Sequence, residues 1–319
     1  VTPNVIYTLD RWIAIQSGTT NRFSVQQNAG AVTPPVGFTN YLGVVSLSAH
    51  SLVAGDYYQI KQSIEGFNVA DFDWGTANAR SITVSFWVRS SLTGNFGVVV
   101  SWGSSGSNQR TYPILYSITS ANTWEYKTIT IPGDTTMAAG GFETGNGGGV
   151  QLRFSLGGWA TSAGTSGSWA TANSQTVIGD TSVVSTNGAT FYITGVQLEE
   201  GTVPTPFEHR PIGTELALCQ RYYTEASPNL AFAYNANQVT SLCVFNEMRA
   251  NPSASKKSGD GDIDPIAGAT LSPSSVSNNF YVYDNKSVLI NSYNFSGLTV
   301  NKVYWYGPSN LIVSLSAEL

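Results

Sequence analysis

The chain has 319 residues, of which 41% are hydrophobic and only 11% charged, with a formal net charge of −5 at pH 7. Phosphate recognition needs clustered Lys and Arg, and here no basic cluster exceeds Lys256-Lys257, so a general nucleic-acid binder is excluded. No run of about 18 apolar residues is present, so nothing points to membrane insertion. With so little charge, the polar surface must come from Ser, Thr, Asn, Gln and Gly. The β-branched, aromatic and turn-forming bias predicts an all-β protein.

In chain order, residues 57–64 read as a strand. Residues 81–89, SITVSFWVR, alternate: Ile82, Val84, Phe86 and Val88 share one face, and Thr83, Ser85, Trp87 and Arg89 the other. Residues 124–131 follow. In 150–156, VQLRFSL, Val150, Leu152, Phe154 and Leu156 oppose Gln151, Arg153 and Ser155. Residues 191–198 form another strand, but Phe191 and Ile193 keep one parity and Val196 and Leu198 the other. That shift predicts a bulge at Thr194 and Gly195. Strands with one apolar and one wet face, parted by loops of uneven length, predict an antiparallel jelly-roll β-sandwich over 1–203. Pro204, Pro206 and Pro211 stiffen a linker over 204–212. Glu199, Glu200, Glu208, His209 and Arg210 are expected at a seam there, with Arg210 paired to a carboxylate. A smaller C-terminal β-sandwich domain follows over 213–319. It opens with one helical turn at 214–216 that runs into a strand, and continues with strands at 231–234, 241–245, 280–283, 288–293, 302–306 and 311–316.

Local motifs for chemistry are sparse. Cys219 and Cys243 stand outside any CxxC pair and read as reduced, buried thiols of a protein made in a reducing cytoplasm. The chain starts at Val1 without Met, as a processed or partial product would. GxSxG and HExxH are absent, and His50 and His209 read as surface or packing residues. In GDGDIDP, Asp260, Asp262 and Asp264 alternate, but Pro265 and Leu271 stand where an EF-hand loop needs Gly and Glu. GNGGGV (145–150) precedes a strand rather than the helix a phosphate loop requires. No cofactor or metal is expected. Glu65, Asp71, Asp73, Glu125, Glu143 and Asp180 could supply a glycosidase pair, but the sequence alone sets no distance between any two of them.

The aromatic residues point further. Trp159 and Trp169 lie in LGGWATSAGTSGSWATAN, Trp102, Arg110 and Tyr112 in SWGSSGSNQRTYP, and Trp74 in DFDWGTANAR. Loop Trp and Tyr can stack on sugar faces, and an amide- and hydroxyl-rich surface suits neutral glycans. These residues are the candidate carbohydrate-binding set. The alternative for each Trp is to close a sheet edge or pack under its own loop.

The run SLVAGDYYQIKQSIEGFNVADFDWGTANARSITVSFWVRSSLTGNFG (51–97) resembles a recurrent block of bacteriophage tail-fiber and virion structural proteins, especially of marine phages and cyanophages. SANTWEYKTITIPGDTT (120–136) and GATFYITGVQLEEGTVPTPFEHRPIGTELALCQRYY (188–223) are similar to the blocks that follow. FNEMRANPS (245–253) and the final SAEL are similar to the C-terminal part. The resemblance implies a carbohydrate-binding-module-like jelly roll, a smaller tip domain and a homotrimer on the virion. Many such jelly rolls carry a calcium-ligating Asp in the last strand, where this chain has Thr194 and Gly195. The favoured expectation is a non-catalytic fiber protein recognising host cell-surface glycans. The alternatives are a virion component acting through other virion proteins, as head decoration or tail-fiber connector, and a polysaccharide depolymerase.

Overall fold

The computed structural model describes residues 6–9, 11–18, 20–103, 109–228, 230–258, 263–265, 277–296, 298, 303–306 and 311–318. Asp260, Asp262 and Leu271 of the GDGDIDP region lie outside the described residues. The chain divides between His209 and Arg210 into two compact units, both dominated by strands.

The first unit is an antiparallel sandwich. One sheet is seven-stranded, in the order β1 (Ile6–Leu9), β2 (Trp12–Gln16), β5 (Tyr57–Glu65), β10 (Gly148–Gly158), β7 (Gly94–Trp102), β8 (Arg110–Ile118) and β12 (Ala170–Thr171). The other is five-stranded, in the order β3 (Phe23–Gln27), β4 (Leu42–Ser46), β14 (Thr190–Glu200), β6 (Ile82–Ser90) and β9 (Glu125–Ile131). The chain crosses repeatedly from sheet to sheet, the jelly-roll pattern. A short parallel pair, β11 (Ala163–Gly164) with β13 (Thr176–Val177), lies between β10 and β14 in the chain.

The alternation expected in 81–89 and 150–156 builds the core. Val84, Phe86 and Val88 meet Phe96, Val98 and Val100, Leu152 and Phe154, and Phe191 and Ile193, all buried. Each such side chain contributes about 1.5–3 kcal/mol through removal from water. The parity shift in β14 is a bulge. Thr194 pairs with Trp87 and Gln197 with Ser85, so β14 carries one residue more than β6 over that step. Gly195 sits there at φ +59°, and a Cβ on it would meet the Phe38 ring at 2.5 Å. Both facts require glycine.

The second unit holds α1 (Ile212–Gln220), a three-stranded sheet of β15 (Tyr223–Ala226), β23 (Ile312–Ser316) and β18 (Ser253–Ser258), and a six-stranded sheet. The latter runs β19 (Ile263–Pro265), β22 (Val303–Tyr306), β16 (Leu230–Asn235), β17 (Gln238–Val244), β21 (Ser287–Tyr293) and β20 (Ser277–Asp284). Ala233, Val239, Ile290, Val313 and Leu315 are among its core residues. The helix is longer than the single turn expected, because Leu216, Ala217 and Leu218 are strong helix formers following Pro211. Period two resumes only at Tyr223. Cys243 is buried, and burial pushes its thiol up to about 11.

Candidate binding site

Most of the sugar-binding residues expected from the sequence converge, but toward the inside. Trp102 and Arg110 are the facing ends of β7 and β8, not loop residues. Trp74 and Trp102 are each 1% exposed, and Tyr112 and Arg110 are buried as well. The Trp74 ring lies 6.4 Å from Trp102 and 5.1 Å from Trp169, and Trp169 lies 5.2 Å from Tyr112. A buried carboxylate, Asp134, ties this end together. It accepts two hydrogen bonds from Arg110, at 2.7 and 2.8 Å, and one from Trp102 Nε1 at 3.0 Å. The half-buried Trp169 donates Nε1–H to the Pro132 carbonyl at 2.7 Å. Trp74, Trp102, Tyr112 and Arg110 therefore have no free face for a ligand, which corrects the expectation for them. The physical reason is parity: each ring continues the inward row of a strand or plugs its end. Trp159 differs, at 40% exposed, where the chain leaves β10.

The outer face of the five-stranded sheet carries a different aromatic set. Trp87 of β6 stands opposite Tyr126 of β9, with rings 5.4 Å apart. Phe38, from the β3–β4 connection, forms the opposing wall with Phe207 and His209, at ring separations of 5.1 to 5.6 Å. Ser85 and Gly195 also line the groove between them, whose volume is about 400 Å³. Tyr126 and Phe207 are 46% and 38% exposed, so their ring faces are open to ligand.

Two local devices hold the walls. The β3–β4 connection is pinned by Tyr41, whose hydroxyl donates to the Ala29 carbonyl at 2.6 Å and accepts the Val32 N–H at 2.9 Å. Trp124 Nε1 donates to the Thr33 carbonyl at 2.9 Å, and Arg89 lies 5.6 Å above the Tyr192 ring. The proline-rich exit folds back along β14. Gln197 Nε2 donates to Thr205 Oγ1 at 3.0 Å, the Glu208 N–H donates to Gln197 Oε1 at 2.9 Å, and the Thr205 N–H donates to Glu199 Oε1 at 2.8 Å. Burial works to raise the Glu199 pKa, but these Thr205 and Gln197 bonds outweigh it and hold the carboxyl below its ordinary range. Glu200 pairs with Arg80 at 2.8 Å, and Arg210 pairs with Glu215 at 3.6 Å.

The alternation in residues 81–89 puts Trp87 on the polar face, outside the candidate sugar-binding set. The signal was there: a Trp amid Thr, Ser and Arg on the wet parity of a strict alternation. Tyr126 likewise shares its parity with Thr128 and Thr130.

Glu125, Asp180 and His50 each have fixed partners, whereas His209 lines the groove. Burial works to raise the Glu125 pKa, but the Lys127 ammonium at 2.6 Å and the Ser120 and Thr119 N–H groups bring it down to about 2. Burial pushes Asp180 up to about 6 although the Ser155 hydroxyl donates to it. His50 binds Asp56 at 2.8 Å, but Ser17 donates to the same Asp56 at 3.0 Å rather than to the imidazole, which is not a nucleophile–base order.

No protein-family model matches the chain, and no curated protein matches it. Among solved structures, the chain is similar to the enzymatically active domain of tailspike protein 4 of bacteriophage CBA120, with 14% identity and a TM-score of 0.34. That similarity covers 60% of this chain and spans only 19% of the tailspike's length. It is similar to the carbohydrate-binding and GH10 modules of a Clostridium thermocellum endo-1,4-β-D-xylanase, with 15% identity and a TM-score of 0.32 over 64% of this chain and 28% of that one. It is also similar to a family 11 carbohydrate-binding module of a C. thermocellum cellulosomal cellulase, with 15% identity and a TM-score of 0.29 over 61% of this chain and 94% of that one. The architecture assigned above rests on this chain's own strand order.

Proposed function

We propose that this chain is a non-catalytic, receptor-binding component of a phage fiber that holds host surface glycans in the groove between Trp87, Tyr126, Phe38 and Phe207. The observation that carries the reading is the open aromatic groove on a face that otherwise carries mainly Ser, Thr and Gln, with Arg89 and Glu199. Sugar rings present apolar C–H faces and polar edges, and such a groove meets both. The resemblance of the TGVQLE…FEHR…ELALCQRYY run to virion proteins supports the phage setting. Trimeric display would turn a weak single site into firm attachment. A glycan array and pulldown with host envelope fractions test the reading: binding is expected, and its loss in Trp87→Ala/Tyr126→Ala. No binding to any fraction overturns it.

A specific observation favours a second reading, in which the chain acts through protein contact as a decoration or connector. The outer face of the six-stranded sheet exposes Leu230, Phe232, Tyr234, Leu242, Val244 and Tyr281 together. An apolar face of that kind marks an interaction surface. Here it is proposed as the contact between copies of the chain. Light scattering should show a trimer that Phe232→Asp/Leu242→Asp dissociates; a monomeric parent chain overturns this contact.

A further inference from the structure

The outer face of the seven-stranded sheet, on the opposite side of the first unit from the groove, carries two cations with no counter-ion among the described residues. Arg153 of β10 pairs in register with Lys61 of β5. Arg153 is 4% exposed. Its guanidinium donates to neutral acceptors: the Ser174 carbonyl at 2.8 Å, Gln109 Oε1 at 2.9 Å and Gln151 Oε1 at 2.8 Å. Its Nε meets no acceptor. Lys61 is half-buried, the more exposed member of the pair. Among the described residues no carboxylate acts on either cation; Arg153 acts on Lys61, and Tyr57 on Arg153. Asp180 is taken by Ser155.

Like charges opposite each other in a ladder are destabilising, and a buried charge without a partner costs several kcal/mol. The cost is visible here. Burial, with the Arg153 charge, pulls the Lys61 pKa down to about 8, and burial pulls Arg153 down to about 10. The surroundings are built for a polar guest. Gln59 and Gln175 are bonded at 2.9 Å, and the Ser101 and Thr176 hydroxyls, which can donate to an anion, have no hydrogen-bond partner.

We propose that this face holds an oxyanion, the carboxylate or sulfate group of an acidic saccharide, between Lys61 and Arg153. The saccharide part rests on the glycan-binding reading above; the oxyanion part does not.

Calorimetric titration at pH 7 tests it with an oligogalacturonate, a sulfated oligosaccharide, a matched neutral oligosaccharide and sodium sulfate. The proteins are the parent chain, Lys61→Gln and Trp87→Ala. An acidic saccharide should bind about tenfold more tightly than the neutral one. Lys61→Gln should remove that preference, Trp87→Ala should weaken neutral-saccharide binding without removing the preference for the acidic one, and the galacturonate and sulfated arms identify the anion. Sulfate binding alone, lost in Lys61→Gln, upholds the oxyanion site and counts against the saccharide carrier. Equal affinity for acidic and neutral saccharides, or parent-like acidic binding by Lys61→Gln, overturns the proposal while leaving the groove reading standing. Thermal melting adds a second readout. Without ligand, Lys61→Gln should melt no lower than the parent, and the acidic ligand should raise the melting temperature of the parent alone; a lower melting temperature for the variant contradicts an uncompensated cation pair.

Discussion

Two aromatic clusters of the first unit look alike in composition and differ in what they can do. Trp74, Trp102, Trp169 and Tyr112 plug one end of the sandwich, sealed by Asp134 and Arg110. Trp87, Tyr126, Phe38 and Phe207 line a groove on a sheet face, where Trp87 and Phe38 are half-buried and Tyr126 and Phe207 exposed. Each cluster takes two residues from strands and two from connections, but the first lies in Gly- and Ser-rich sequence. Flanking composition therefore misleads about exposure. Strand parity and what lies across the ladder decide whether an indole is core or platform.

The sharpest way to break this comparison is to remove its buried anchor. Asp134→Ala leaves Arg110 and the Trp102 indole N–H without their acceptor and should destabilise the first unit by about 3–5 kcal/mol, read by chemical denaturation. A smaller loss would mean that water reaches that end of the sandwich.

Burial also sets a charge effect that the open cluster should lack. Burial raises the Asp180 pKa from the ordinary carboxylate range to about 6. A raised carboxyl favours the protonated folded state, so stability should be fullest below pH 4 and fall as pH rises to about 6, by up to about 3 kcal/mol. Asp180→Asn should flatten that slope in melting curves across this range.

Trp169 is the intermediate case, half-buried against Trp74 and Tyr112. Trp169→Ala should cost about 2–3 kcal/mol of stability, toward the low end for a Trp truncation, with glycan affinity unchanged. Gly195→Ala probes the groove wall. The left-handed backbone and the Phe38 contact should make it cost about 1–2 kcal/mol, with a shifted Phe38 and weaker binding. Trp87→Ala should have the smallest effect on stability, within about 0.5 kcal/mol, while lowering glycan affinity by about 1 kcal/mol.

Much of the fold was legible in the sequence. The alternations at 81–89 and 150–156, and the parity break at Thr194 and Gly195, are local signals that translate directly into β6, β10 and the β14 bulge. The β7–β8 hairpin was harder to see. Phe96, Val98, Val100 and Trp102 do alternate, but Gly94, Gly97 and the glycines after Trp102 disguise the strand as a loop. The site was less legible because it is assembled across the fold. Trp87 and Tyr126 meet through one ladder, and Phe38 and Phe207 arrive from segments far apart in the chain. The Arg110–Asp134 bond joins two residues with no shared motif. The Lys61–Arg153 pair depends on register, which no single strand's pattern reveals.

The direct test is a paired binding measurement with host envelope glycans on Trp87→Ala/Tyr126→Ala and on Trp169→Ala, each first shown to be folded. The open-groove reading predicts that the first variant loses about tenfold or more in affinity and that the second binds as the parent chain does. Retained binding in the first, with loss in the second, would contradict it and place the glycan at the buried end of the sandwich.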